Sequence, residues 1–259
     1  MFLGKGVINT MLAAKRLEKI VQIIQERGSV EVEYLAKQLG VSSMTIRRDL
    51  LKLEQNNKIE RCHGGAIIKQ EQDYGDRRTL HHEIKSKLAE KAVSYVKDGD
   101  YLFLDAGTTT YEIAKKLQKF SNLVVVTNDL EIARVLLDTT AKVLICGGIV
   151  QNKTGSTWGD YAMQMLEDFR FDIGFFGATA INEQLEVMTP TMEKAFLKRK
   201  TIRQCEKSYL VVDESKFRKQ GMIRISHLND YTEVITNYQF SNKEKELLQK
   251  ESRKGQLLC

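Results

Sequence analysis

The sequence predicts an α/β protein in two parts: a small N-terminal module of three helices and a β-hairpin, then a larger, mainly parallel α/β domain. Three observations predict it. Apolar residues recur at helical spacing in three short stretches up to Leu53, and a Gly-Gly turn between two extended runs follows. From Tyr101 onward, six β-branched or aromatic runs alternate with helical stretches. The positive charge is uneven: of a net +6, residues 1–70 carry 12 Lys and Arg against 7 Asp and Glu, and the remaining 189 residues carry 28 against 27. A basic segment beside a near-neutral body points to a nucleic-acid module joined to something else.

Leu17, Ile20, Val21 and Ile24 form one helical stripe, and Gly28 fits its C-cap. Val32, Leu35, Ala36 and Leu39 form a second stripe, ended by Gly40. Ser42 offers a hydroxyl to cap a third helix, in which Ile46, Leu50 and Leu53 face inward together. Three short helices with a tight turn before the last make a helix-turn-helix. The opposite side of the third helix presents Met44, Thr45, Arg48 and Lys52, with Arg47 at its flank and Ser42 and Ser43 at its start. Arginine donates paired bonds to guanine, hydroxyls bond bases or phosphates, and a helix N-terminus favours a phosphate. An isolated Arg pair is more often an ordinary solvated face; on the third helix of this pattern, in the basic part of the chain, it reads as DNA recognition. Ile59 and Arg61, then Ala66, Ile67 and Ile68, flank His63-Gly64-Gly65 and read as a hairpin, the wing of a winged helix-turn-helix. Arg61 and His63 would lie against the DNA backbone.

We expect an N-terminal extension over 1–13, with Met11 an alternative start, a DNA-binding domain over 14–68, a polar linker over 69–81, an α/β domain over 82–240 and a charged tail over 241–259. The expected strands are YLFLD, NLVVVT, AKVLICG, FDIGFFGA, SYLVVD and TEVITN. Composition is globular, with 42% apolar and 29% charged residues. The four cysteines are scattered without a CxxC pair and the histidines form no ligand pattern, so neither a metal site, a cofactor nor a disulfide framework is expected, and a reducing cytoplasm is the simplest setting. No apolar run approaches the ~20 residues of a membrane span.

Five strands end in polar or glycine-rich turns, and in an open α/β sheet ligands bind beyond the carboxyl ends of strands. These turns are Asp105-Ala106-Gly107-Thr108-Thr109-Thr110, Thr127-Asn128-Asp129, Gly147-Gly148, Gly177-Ala178-Thr179 and Asp213-Glu214-Ser215-Lys216. Gly107 to Thr110 at a helix start suits an anion, through backbone N–H groups, the helix dipole and hydroxyls. Asp105 is placed to accept from sugar hydroxyls and Lys216 to supply a cation. Taken singly, threonines cap helices and glycines make turns; the set of five carries the reading.

These segments carry a resemblance. The stretch holding Arg16, Ile20, GSVEVEYLAKQLGVS, TIRRDL and RCHGGA resembles the DeoR-type winged helix-turn-helix, with Asn57 where that family usually has Gly. The segments DGDYLFLDAGTTT, VVTND, ICGG, FDIGFFGATAI, the helix carrying Glu193 and Lys198, and VVDESKF resemble the DeoR-type sensor domain, which is similar in fold to ribose-5-phosphate isomerase. At residues 185–190, LEVMTP, the family more often has Gly near Glu186. The resemblance spans about 14–237. It implies a homo-oligomeric repressor of a sugar-catabolic operon that binds double-stranded operator DNA and a phosphorylated sugar. By the same match Asp105, Gly107, Thr108, Thr109, Thr127, Asn128, Asp213 and Lys216 are the implied effector contacts; Thr110, Gly147 and Gly148 join them from the strand-end reading. The alternative is a sugar-phosphate isomerase with an attached DNA-binding domain, for which Asp172 is the candidate acid. The segment after it, IGFFGA, supplies no second carboxylate, so no enzyme is expected. A DNA-binding protein without an effector is a third reading, opposed by the intact DAGTTT and VVDESKF segments.

Overall fold

A computed structural model describes residues 13–55, 59–62, 64–68, 78–152 and 154–251. The chain forms two compact units, Met1–Gln70 and Glu71–Cys259.

The first unit contains helices α1 (Ala13–Arg27), α2 (Val32–Leu39) and α3 (Ser43–Gln55) and strands β1 (Ser29–Glu31), β2 (Ile59–Cys62) and β3 (Gly65–Ile68). Its core holds Ile20, Ile24, Leu35, Ile46, Leu50, Leu53 and Ile59, all essentially buried. Each such side chain contributes roughly 1.5–3 kcal/mol through burial. The stripes read from the sequence therefore meet in one core. The hairpin turn is shorter than expected, because Gly65 pairs with Cys62 inside the ladder. The strand β1, which the sequence reading lacked, pairs antiparallel with β3 and explains that glycine. A Cβ on Gly65 would lie 2.4 Å from the Val30 carbonyl oxygen. Asn57 and His63 lie outside the described residues.

The second unit is built on a six-stranded sheet in the order β14-β12-β9-β4-β5-β6, every neighbouring pair parallel. The strands are β4 (Tyr101–Leu104), β5 (Val124–Thr127), β6 (Lys142–Ile145), β9 (Phe171–Phe176), β12 (Cys205–Val211) and β14 (Glu233–Ile235), the six expected runs. Side chains alternate between two buried layers. Leu102, Leu104, Val125, Phe175, Tyr209 and Val211 face one way, against α4 (His82–Val93), α5 (Thr108–Lys115) and α6 (Leu130–Leu136). Phe103, Val126, Phe176, Leu210 and Val212 face the other, where Ala162, Ala195, Leu197 and Leu248 cover them. These four belong to α7 (Asp160–Met165), α8 (Met192–Gln204) and α9 (Asn242–Glu251). The C-terminal stretch, read from the sequence as a charged helix or frayed tail, contains the helix α9, and Leu248 of that helix enters the core.

Two small antiparallel pieces complete the unit. β7 (Ile149–Val150) pairs with β8 (Thr157–Trp158), and β11 (Glu186–Thr189) lies between β10 (Ala180–Ile181) and β13 (Ile223–His227). The turn before β11 places Leu185 in the left-handed region, at φ 59°. Glycine is the ordinary residue for such a position. Here Leu185 takes it while its side chain is buried in the second core layer, which accounts for the departure from the glycine pattern near Glu186.

The strand order fixes where a ligand can sit. From β4 the chain moves outward through β5 and β6, then returns to β9 and runs outward through β12 and β14. The direction reverses between β4 and β9, and the crevice beyond the carboxyl ends of strands at such a reversal is the usual binding position in open α/β sheets.

Candidate nucleic-acid interface and effector pocket

The face of α3 opposite the core carries Met44, which is 60% exposed, with Arg47, Arg48 and Lys52 also exposed. Ser42 caps the helix: its Oγ accepts from the Thr45 N–H at 3.2 Å and lies 2.9 Å from Thr45 Oγ1. Ser43 is engaged elsewhere, because its hydroxyl donates to Glu33 Oε2 at 2.7 Å and ties α3 to α2. The helix is also held from below. Asp49, buried, receives a forked pair from Arg16, Nε to Oδ2 at 2.6 Å and Nη2 to Oδ1 at 3.2 Å. The hydrogen bond to Asp49 is the main reason the Arg16 guanidinium is held above its ordinary range. Arg61 is exposed on β2; its N–H donates to Glu54 Oε1 at 3.2 Å, which joins the hairpin to the end of α3.

In the second unit a pocket opens at the β4–β9 reversal. Asp105, Gly107, Thr108, Thr109, Thr110, Asn128, Asp213 and Lys216 line it, so eight of the expected effector residues converge. Gly107 precedes the first turn of α5, and by helix geometry the N–H groups of Thr108 to Thr110 have no partner within that helix. Two strand-end side chains brace the loop. Asn128 Oδ1 accepts from the Ala106 N–H at 2.9 Å, and Asp129 Oδ2 accepts from the Gly107 N–H at 3.2 Å. The Thr110 hydroxyl returns to the Gly107 carbonyl at 2.9 Å.

Three expected residues do not line the pocket. The Thr127 hydroxyl, fully buried, donates to the Leu104 carbonyl at 2.7 Å and so ties β5 to β4. Gly147 and Gly148 precede β7. Gly148, at φ +135°, leaves room for the Trp158 carbonyl oxygen, which a Cβ would approach to 2.4 Å. Its function in the fold is this close approach, which lets β8 return Thr157 and Trp158 to the pocket wall.

Asp105 also differs from expectation. Its Oδ2 accepts from Lys198 Nζ and from the Gly177 N–H at 3.0 Å, and Lys198 donates as well to the Gly177 carbonyl at 2.8 Å. Asp105 and Lys198 are 1% and 8% exposed, so the pair clamps β4, β9 and α8 at the floor of the pocket. Lys198 lies 93 residues from Asp105, a contact without a local sequence signal. Lys85, Asp129, Thr189 and Lys194 also line the pocket and were not read from the sequence as effector residues, nor were Leu80 and His81, assigned to the linker.

The carboxylates differ in charge tendency. For Asp213, burial alone would raise the carboxyl, but hydrogen bonds from Ser215 and the Lys216 charge outweigh it and hold the group below its ordinary range. For Asp129, burial wins: it pushes the carboxyl from 3.8 up to about 7, with repulsion from Asp105 in the same direction and bonds from the Ile132, Glu131 and Gly107 N–H groups opposing. A proton retained on folding stabilises the folded form most below about pH 4, and this contribution is lost as pH rises through about 7. The melting temperature is therefore expected to fall between about pH 5 and about pH 8, and Asp129→Asn is expected to flatten that fall. An unchanged slope in the variant would remove Asp129 as its source.

Asp172, the candidate acid of the enzymatic alternative, stands at the opposite sheet edge. It is the second residue of β9, and its Oδ2 accepts from the Tyr101 N–H at 2.7 Å, at the start of β4. Among the described residues, no group of three or more His, Cys, Asp or Glu could hold a metal ion, and no helix is long and apolar enough to cross a membrane. Cys146 and Cys205 are free thiols that burial pushes up to about 12.

Residues 16–72 match the family model of the DeoR-like helix-turn-helix domain, and residues 80–238 match that of the DeoR C-terminal sensor domain. The chain belongs to the DeoR family. It is thus a DNA-binding transcriptional regulator rather than an enzyme. Among DeoR-family relatives, the HTH-type transcriptional regulator GlpR of Haloferax volcanii is 34% identical over 231 residues, which cover 88% of this chain and 91% of that one. The lactose phosphotransferase system repressor of Staphylococcus aureus is 30% identical over 237 residues, covering 88% of this chain and 94% of that one. The solved structure of the sorbitol operon regulator SorC from Klebsiella pneumoniae aligns over 90% of this chain and 98% of its own at 11% identity, with a TM-score of 0.43, too distant to bear on function.

Proposed function

We propose that this DeoR-family regulator represses a sugar-use operon in the cytoplasm, and that a phosphorylated sugar in the pocket at the β4–β9 reversal controls its grip on operator DNA. The observation that carries the proposal is the convergence, in one pocket, of the open first turn of α5 with Lys194 and Lys216 and with the carboxylates of Asp213 and Glu193. Helix N–H groups and ammonium groups suit a phosphate, and carboxylates and threonines suit sugar hydroxyls. The repressor function of the Staphylococcus aureus relative supports the direction of control.

On the DNA side, the DNA-binding domain over 14–68 reads the major groove with Thr45, Arg47 and Arg48. Ser42, Met44, Lys52 and Arg61, with His63, position it against the backbone and groove wall. Two copies of the chain bind paired half-sites as a homo-oligomer, and the sensor domain over 82–240 sets the spacing between them. A coupling of about 1–3 kcal/mol between effector and operator is sufficient for such control.

The test has two steps. Duplexes are first selected from a random pool with the full chain. The selected duplex is then titrated with protein in the presence of a panel of sugar phosphates. One sugar phosphate is expected to change operator affinity, and its unphosphorylated counterpart is not. Selection of duplexes whose binding no sugar phosphate alters would leave the DNA-binding half and refute the control.

A further inference from the structure

Helix α3 carries two exposed large apolar side chains, Met44 at 60% and Leu51 at 42%. They stand two helical turns apart on one face, and Arg47 and Arg48 lie between them as neighbours of both. The core stripe of Ile46, Leu50 and Leu53 occupies the opposite side, so packing within the unit does not account for them. A scattered exposed apolar residue needs no explanation; this pair frames two guanidinium groups on the face read as the DNA interface. Met44 is set apart further by its neighbours. The hydroxyls of Ser42 and Thr45 lie 2.9 Å apart, bonded to one another, and that of Ser43 donates to Glu33. Met44 is the side chain of this first turn that none of those bonds holds, and the N-terminal residues of a recognition helix are the ones that meet base edges.

We infer that Met44 is a specificity-determining residue, which reads the 5-methyl group of a thymine in the same half-site as the guanine bound by Arg47 or Arg48. This rests on the reading of α3 as the helix that enters the major groove. In that groove guanine presents two acceptors, adenine an acceptor and a donor, cytosine a donor, and thymine an acceptor beside its methyl group. A thioether has no donor and is a weak acceptor. Set against the edge of guanine, adenine or cytosine, it displaces water and leaves base groups unmet, which is costly. Set against the thymine methyl, it buries apolar surface on both partners. Met44 stands within one helical turn of both arginines, so its base and theirs belong to one half-site. Beyond its contact with the groove wall, Met44 thus discriminates among bases.

The test uses duplexes selected from a random pool with the full chain. Each thymine of the selected duplex is replaced in turn by deoxyuridine, which lacks only the 5-methyl group, and affinity is measured by mobility shift. One replacement in each half-site is expected to weaken binding about fourfold, equivalent to the about 0.8 kcal/mol of one buried CH2-sized group. In Met44→Ala the same replacement is expected to cost nothing further. In Met44→Leu, which keeps an apolar side chain, it is expected to cost about as much as in the parent. Met44 is exposed, so both variants are expected to melt with the parent, and the deoxyuridine series on the unaltered protein needs no variant at all. Unchanged binding of every deoxyuridine duplex by the parent overturns the inference. So does a selected half-site without thymine, or an equal methyl loss in Met44→Ala and the parent. In each of these cases, loss of binding in the Arg47→Ala and Arg48→Ala double variant leaves the reading of α3 intact. A double arginine variant that binds like the parent overturns that reading and the inference with it.

Discussion

Asp105→Ala is expected to lower the stability of the sensor unit by about 3–5 kcal/mol, a large fraction of what a domain of this size has. The substitution leaves the buried Lys198 ammonium with the Gly177 carbonyl and without its counter-charge, and it strips the Gly177 N–H of its acceptor. The cost is that of an uncompensated charge rather than the worth of the pair, and the double variant shows this. Asp105→Leu with Lys198→Met is expected to be less destabilised than Asp105→Ala alone. Urea unfolding followed by tryptophan fluorescence reads the sensor unit directly, since Trp158 is the chain's one tryptophan. Equal stability of Asp105→Ala and the parent would mean that the clamp between β4, β9 and α8 does not hold the pocket floor.

The second large effect is on DNA. Arg48→Ala is expected to weaken binding to the selected operator by about 1–3 kcal/mol and to relax sequence preference at one base pair. The Arg47→Ala and Arg48→Ala double variant is expected to lose on the order of a hundredfold or more. Both side chains are exposed and the α3 core stripe does not include them, so folding is expected to be intact. Lys52→Ala makes the contrast: a uniform loss across sequences and a shallower salt dependence. A double arginine variant that binds the selected duplex like the parent would place the interface elsewhere. Asp49 is a different matter, because its fork to Arg16 supports α3 from inside, so its replacement would confound binding with stability.

These outcomes rest on parts of the molecule that differed in legibility. The recognition helix was legible because one face needs apolar residues at helical spacing and the other does not, and Ile46, Leu50 and Leu53 show this directly. The parallel strands were legible as continuous apolar runs because most are buried on both faces, whereas the edge strand β6, half-buried to exposed, was legible only from its run Val143, Leu144 and Ile145. The short strands were not. β7, β8 and β10 are two residues each, and only tertiary pairing defines them. Thr127, Gly147 and Gly148 stand off the pocket lining, which was not legible because a polar or glycine residue after a strand looks the same whether it faces a ligand or a neighbouring carbonyl. The Thr127 hydroxyl meets Leu104, and Gly148 admits Trp158. Thr189 was missed, and Lys198 was named only within a matched segment and without its role, for the converse reason. Their value lies in what stands opposite them, Asp105 across 93 residues for one and an open pocket for the other.

The central claim is that the sensor pocket takes a phosphorylated sugar, and thermal unfolding of the full chain against sugar phosphates and their unphosphorylated counterparts tests it most directly. At a hundredfold excess over Kd, binding to the native state adds about 2.7 kcal/mol, which for a unit of this size raises the melting temperature by roughly 5–10 °C. The expected result is such a rise with one sugar phosphate, none with the same sugar lacking phosphate, and its loss in Thr108→Ala or Lys216→Ala. A panel of sugar phosphates that leaves the melting temperature unmoved, or a rise that both variants retain in full, would contradict the account.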